Sequence, residues 1–247
     1  MEIMQALIFL SLSYKLISNK NISYDPTFKQ LLNCLMKEIL DKISQKLSDP
    51  LPGFSAQSKM APEVRKSAEI SSGRRKAAVL VLLFPEKDQL CLAFIQRPVY
   101  NGPHSGQISF PGGLKEKTDH DLMETAKRES KEETGIRSSD IRILGRLSEL
   151  TIPVSNYIVQ PFVGCLDYPP DFKPDPREVD HMISIPLIHL LDRKNIHREE
   201  TNYRGVTFTY PYYLYKEYKI WGATAMILSE FLAIIEEVVP SLSAPED

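Results

Sequence analysis

Residues 106–136 read GQISFPGGLKEKTDHDLMETAKRESKEETGI, and the fold and chemistry of the chain follow from this stretch. Leu122, Met123, Ala126 and Ser130 recur at helical intervals after Asp119, an N-cap residue type, and Gly135 stands where a helix closes on a left-handed residue. The spacing predicts a helix over Asp121 to Thr134. Positions i, i+3 and i+4 share a helix face, so Glu129, Glu132 and Glu133 project together. Carboxylates held that close repel one another unless a cation lies among them, and oxygen-only donors favour a hard divalent ion, Mg²⁺ or Mn²⁺. Such ions commonly take their remaining ligands from substrate phosphates. The trio therefore reads as half of a site whose other half is a diphosphate.

A charged helix can also be no more than a solvated face with i,i+4 pairs such as Arg128 with Glu132. The segment before it shifts the balance. Ile108 and Phe110 alternate with Gln107 and Ser109 as a short half-buried strand, and Pro111-Gly112-Gly113 makes a turn whose backbone can approach a ligand. A strand, a glycine turn and a helix carrying three facing glutamates is a far rarer combination than any of its parts.

These residues resemble the Nudix box, G-x5-E-x7-R-E-U-x-E-E-x-G-U with U aliphatic. Gly113 supplies its first glycine, and Arg128, Glu129, Glu132, Glu133, Gly135 and Ile136 fill its second half in register. The spacer is one residue longer than the general pattern, so either Asp119 or Asp121 takes the place of the first glutamate as partner of Arg128; Ser130 stands at an aliphatic position. Upstream, Arg97-Pro98-Val99-Tyr100 and the run His104 to Gly113 are similar to the segment that marks the coenzyme A pyrophosphatase branch.

The resemblance implies an α/β fold, a Nudix-like α/β/α sandwich around a mixed sheet, which the alternation of strand and helix patterns also suggests. It implies metal ligation by Glu129, Glu132, Glu133 and the Gly112 carbonyl, Arg128 orienting the glutamates, and Glu129 or the downstream Glu178 taking a proton. Arg97, His104, Gln107 and Gly113 are the implied substrate contacts. The reaction implied is hydrolysis of a nucleoside diphosphate derivative, coenzyme A first, with ADP-ribose, NADH or a diadenosine polyphosphate as the alternative. A Nudix-fold binding module without catalysis is the reading of another class. Retention of all three glutamates and Arg128 argues against it. A homodimer is compatible with the resemblance.

Composition sets outer bounds. With 43% hydrophobic and 25% charged residues, the 247-residue chain suits one generous domain with appendages. Its net charge of −2 and pI near 6.2 exert no global pull on nucleic acid. Cys34, Cys91 and Cys165 are odd in number, widely spaced and form no C-x-x-C pair, so neither a disulfide framework nor a zinc site is indicated, and a reducing cytoplasm fits best. The apolar run Met4 to Leu16 is shorter than the roughly 20 residues a membrane span needs and follows no basic segment.

Residues 1–35 are expected to be an extension outside the native protein, because the amphipathic pattern of Leu35, Ile39, Ile43 and Leu47 begins at Met36. Residues 36–73 read as a helix and connector, 74–240 as the hydrolase domain and 241–247 as a tail. Within the domain, Arg74-Arg75-Lys76 reads as a solvated strand entry, and Ala77 to Phe84 as a strand buried on both faces that forms a hairpin with Leu90 to Arg97. Ile141 to Leu147 and Val154 to Leu166 are strands parted by Thr151-Ile152-Pro153, Glu149 is a solvated acid, and Tyr203 to Tyr215 is a hairpin. Trp221-Gly222-Ala223-Thr224-Ala225 opens a last helix reaching Val239.

Overall fold

The computed structural model describes residues 26–63, 73–99, 105–203 and 205–238. Strand β1 (Arg75–Glu86) is its axis. The apolar run predicted here divides its side chains between two cores, as period-two alternation requires. Ala77, Val81 and Leu83 join Ile39, Ile43, Phe231 and Ile235 on one side of the sheet; Ala78, Leu80, Leu82 and Phe84 join Ala126 on the other.

Around β1 the sheet is mixed. β2 (Gln89–Gln96) and β4 (Gly112–Leu114) pair with it antiparallel, and β7 (Tyr157–Cys165) runs parallel to it. β3 (Ile108–Ser109) and β8 (His181–Pro186) pair with β2, while β5 (Arg142–Arg146) and β6 (Leu150–Ile152) pair with β7. Helix α1 (Pro26–Lys46), the short helix α2 (Phe54–Gln57) and α5 (Gly222–Val238) lie on one face, and α3 (Leu122–Thr134) on the other. Together they make the α/β/α sandwich. Helix α4 (Leu187–Leu191) leads from β8 into a second antiparallel sheet of β9 (Ile196–Tyr203), β10 (Val206–Tyr215) and β11 (Tyr218–Trp221). Among the described residues no helix is long and apolar enough to cross a membrane.

Several sequence expectations change here. Helix α1 starts at Pro26 and not at Met36. The β1–β2 turn is confined to Lys87 and Asp88, both at positive φ, so Pro85 remains in the strand. Thr151 and Ile152 are not a break but part of β6, which pairs with the start of β7. Tyr203 to Tyr215 is chiefly one strand, with partners on both sides, because the chain reverses at Gly205 and again at Lys216, each at positive φ. Gln57 is no connector residue: it is buried, and its amide donates 2.8 Å to Glu230. The basic patch is a strand entry, with Arg74 donating to Thr151 and Arg75 over the Tyr157 ring.

Candidate active site

Helix α3 begins one turn-residue later than its sequence pattern suggests. Asp121 is the N-cap, its carboxylate accepting 2.8 Å from the Glu124 amide, and Gly135 closes the helix at φ 75°. Asp119 is thereby released for another task. It is 5% exposed and receives Arg128 bidentately, Nε and Nη2 each at 3.0 Å, with the Thr125 hydroxyl and Glu116 amide at 2.9 Å. The Arg128 hydrogen bonds hold the Asp119 carboxyl well below the usual range, and the same pair raises the guanidinium further. Of the two acids the sequence left open, Asp119 is therefore the partner of Arg128. The spacer's extra length carries the chain over to the N-cap.

Arg128 also ties the helix to the glycine turn. Its Nη2 donates to the Leu114 carbonyl at 3.0 Å, and its Nη1 lies 3.0 Å from both Glu129 Oε1 and Glu132 Oε2. It thus orders two of the three glutamates at once.

The third glutamate is fixed from the other side. Glu133 is 3% exposed, and its Oε2 accepts 2.7 Å from the Gly112 amide. Its Oε1 faces Arg97 Nη2 at 3.7 Å, and that guanidinium also donates 3.5 Å to the Gly112 carbonyl. Burial pushes the Glu133 carboxyl up to about 8 against the opposing pull of Arg97; the charges of Glu129 and Glu178 add to the rise. Glu129 is raised too, first by burial and then by Glu132 and Glu178, with Arg128 opposing.

The glycines have separate reasons. A Cβ on Gly113 would meet the Glu129 carboxylate at 2.4 Å, so the bare glycine is what lets that side chain lie over the turn. A Cβ on Gly112 would strike the Ala78 carbonyl oxygen at 2.3 Å, where β4 crosses β1.

The structure thus brings together Arg97, Gly112, Gly113, Arg128, Glu129, Glu132 and Glu133. Glu178, exposed in a turn closed by its amide on the Asp175 carbonyl, is near enough for its charge to act on Glu129 and Glu133. Glu149 is exposed. Gln107 lies in a neighbouring cleft, and His104 is outside the described residues. Sequence reasoning left Asp119 and Asp121 open as partners of Arg128 and missed the burial of Asp119; the available signal was its spacing from Gly113, which matches the box, the extra residue lying between Asp119 and Arg128.

One buried and one half-buried carboxylate, both shifted upward and beside a backbone carbonyl, form an oxygen donor set whose repulsion a divalent cation relieves, so in kind the residues fit one. Among the described residues, however, no three His, Cys, Asp or Glu side chains stand in a grouping that could hold a metal ion. Glu132 is the outlier, half exposed and engaged with Arg128.

A strand, glycine turn and glutamate helix on an α/β/α sandwich define a diphosphate hydrolase of the Nudix type, and the NUDIX domain model matches residues 74–203. The chain belongs to the Nudix family and is a Nudix pyrophosphohydrolase acting on nucleoside diphosphate derivatives. It is 31% identical over 184 residues to the Nudix hydrolase NudL of Photorhabdus laumondii, covering 74% of this chain and 95% of that one. It is 33% identical over 175 residues to the human mitochondrial coenzyme A diphosphatase NUDT8, covering 68% and 73%. Among solved structures, the Nudix hydrolase RenU of M. smegmatis aligns at a TM-score of 0.46 and 13% identity, over 72% of this chain and 92% of that one.

Proposed function

We propose that this enzyme hydrolyses the diphosphate of coenzyme A or a coenzyme A derivative, with Mg²⁺ or Mn²⁺ held by Glu129, Glu132, Glu133 and the Gly112 carbonyl. The observation that carries the reading is Glu133, buried, anchored on the Gly112 amide and facing Arg97. Arg97 belongs to the segment similar to coenzyme A pyrophosphatases, and the human relative is named a coenzyme A diphosphatase. Both point to the same substrate class.

A divalent cation, when bound, supplies charge neutralisation of the diphosphate and acidifies an attacking water. The protein's own residues do the rest. Arg128, immobilised by Asp119 and Leu114, keeps Glu129 and Glu132 on one side of the turn. Gly112 and Gly113 let Glu133 and Glu129 reach that turn without steric conflict. Arg97 offers positive charge next to the carboxylates, suited to a diphosphate oxygen. Glu129 or Glu178 accepts the proton of the attacking water, both being carboxylates whose charges are coupled across the site. The free thiols, without a disulfide among the described residues, suit a reducing compartment such as the cytoplasm.

A substrate panel tests the reading. Purified protein in Mg²⁺ or Mn²⁺ is given coenzyme A, ADP-ribose, NADH and diadenosine polyphosphates, and products are resolved chromatographically. Highest kcat/KM on coenzyme A, with release of adenosine bisphosphate and phosphopantetheine, is expected. A preference for ADP-ribose or a dinucleotide overturns the coenzyme A assignment.

A further inference from the structure

A cleft of about 340 Å³ opens between the loop before β3 and the β10–β11 hairpin, lined among others by Gln96, Gln107, Tyr218, Lys219 and Trp221. Its place in the fold ties it to the carboxylates. Gln96 ends β2 in the cleft wall, and the next residue, Arg97, is the one that faces Glu133. Ile108, another lining residue, is held by the Thr224 hydroxyl from the first turn of α5, just beyond Trp221.

The lining says what kind of group fits. The volume is at the small end for ligand sites, enough for one ring system and its sugar and too small for a whole dinucleotide. Glu217 and Lys219 cancel in charge, and Lys219 already pairs with Glu199, so the cleft is not built for an anion. The rest of the lining is two aromatic rings and two side-chain amides, beside Ser105, Gly106 and Ile108. Ring faces stack on a heterocycle, and amides offer both donor and acceptor to its edge.

One wall is fixed by a chain of hydrogen bonds that the reaction does not use. Asp180 Oδ2 lies 2.7 Å from His181 Nδ1, and His181 Nε2 lies 3.0 Å from the Tyr218 hydroxyl, with the two rings 5.6 Å apart. His181 sits directly across from Gln96 in the β2–β8 register, so the same strand pair supports both the amide wall and the aromatic one. Tyr218 follows the hairpin reversal at Lys216 and has only short β11 behind it. With the chain of hydrogen bonds in place, the ring's rotational freedom is lost before any ligand arrives.

We propose that this cleft receives the heterocyclic base of the nucleotide, and that Tyr218, positioned by His181 and Asp180, is a specificity-determining residue. The inference rests on the reading of the chain as a hydrolase of nucleoside diphosphate derivatives and names the subsite for their base.

Trp221 is the single tryptophan of the chain, so its fluorescence reports the cleft without catalysis. Adenosine 5′-monophosphate should quench it saturably, while ribose 5-phosphate should not. Tyr218→Phe keeps the ring and removes the hydroxyl, and should raise both the quenching midpoint and the KM for an adenine-containing diphosphate about tenfold, the scale of one lost hydrogen bond, with kcat little changed. His181→Ala should match it, and the double variant should be no worse than either single one. Equal response to the two phosphates, or no response from a protein that turns over adenine diphosphates, overturns the proposal. Selective quenching in a protein that cleaves none of the diphosphates would leave the subsite standing and remove the catalytic reading instead.

Discussion

Gly112 and Gly113 are neighbours in the sequence with opposite liabilities. A methyl at Gly113 meets only the far end of the Glu129 side chain, which can move aside, whereas at Gly112 it meets the backbone of β1. Gly113→Ala should therefore melt near wild type yet lose about a hundredfold in kcat, the usual consequence of displacing a catalytic group by about 1 Å. Gly112→Ala should lose several kcal/mol of stability, on the order of other overpacked sites. Thermal melts beside turnover measurements separate the two.

Glu133 gives a pH signature. Its carboxyl is raised from 4.5 to about 8, so the folded chain binds that proton more tightly than the unfolded one. Its contribution to metal-free stability must then decline as pH rises from about 4.5 toward 8, and level off above. In chelator, Glu133→Gln should melt higher than wild type at pH 8 and no higher at pH 5. Mg²⁺ should narrow the gap at pH 8 by stabilising wild type alone. A Glu133→Gln protein no more stable than wild type at pH 8 would contradict the buried-carboxylate account.

Helix α3 carries one polar group with nothing to bond. Ser130 is fully buried, and its Oγ has no hydrogen-bond partner. Ser130→Ala should stabilise the protein by about 1 kcal/mol, read as a higher urea midpoint at unchanged slope. The sequence disclosed this helix almost to the residue, because apolar spacing and the terminal glycine are local signals. It misled at the start, where Asp119 and Asp121 are equally good caps by type. Only the three-dimensional approach of Arg128 to Asp119 decides between them. The second sheet was half legible for a similar reason: aromatic and β-branched residues announce strands, but Lys216 reverses the chain without being a glycine or proline.

Across the whole molecule, the segment after α1 is anchored by one buried carboxylate. Glu230 on α5 is 0% exposed and accepts from the Gly53 amide at 3.1 Å, the Ser148 amide at 3.2 Å and the Gln57 side chain at 2.8 Å. It joins α2, α5 and the β5–β6 loop. A glutamine there sets one amide donor against another, so Glu230→Gln should cost about 2–3 kcal/mol in urea unfolding while leaving kcat at 25 °C intact. No sequence pattern distinguishes this acid from a solvated one. Its partners lie far away along the chain, and the polar run around Gln57 reads locally as a connector. The two-sided burial of β1, in contrast, was evident from an uninterrupted apolar run.

On the proposed mechanism Glu129, Glu132 and Glu133 act together on a cation beside the diphosphate, and Glu132 is the most exposed of the three. The decisive measurement is kcat of Glu132→Gln against wild type on coenzyme A at saturating Mg²⁺. A fall of at least about a hundredfold is predicted, the scale of losing a preorganised charge. Turnover close to wild type would show Glu132 to be a solvated partner of Arg128 and nothing more, and would contradict the account.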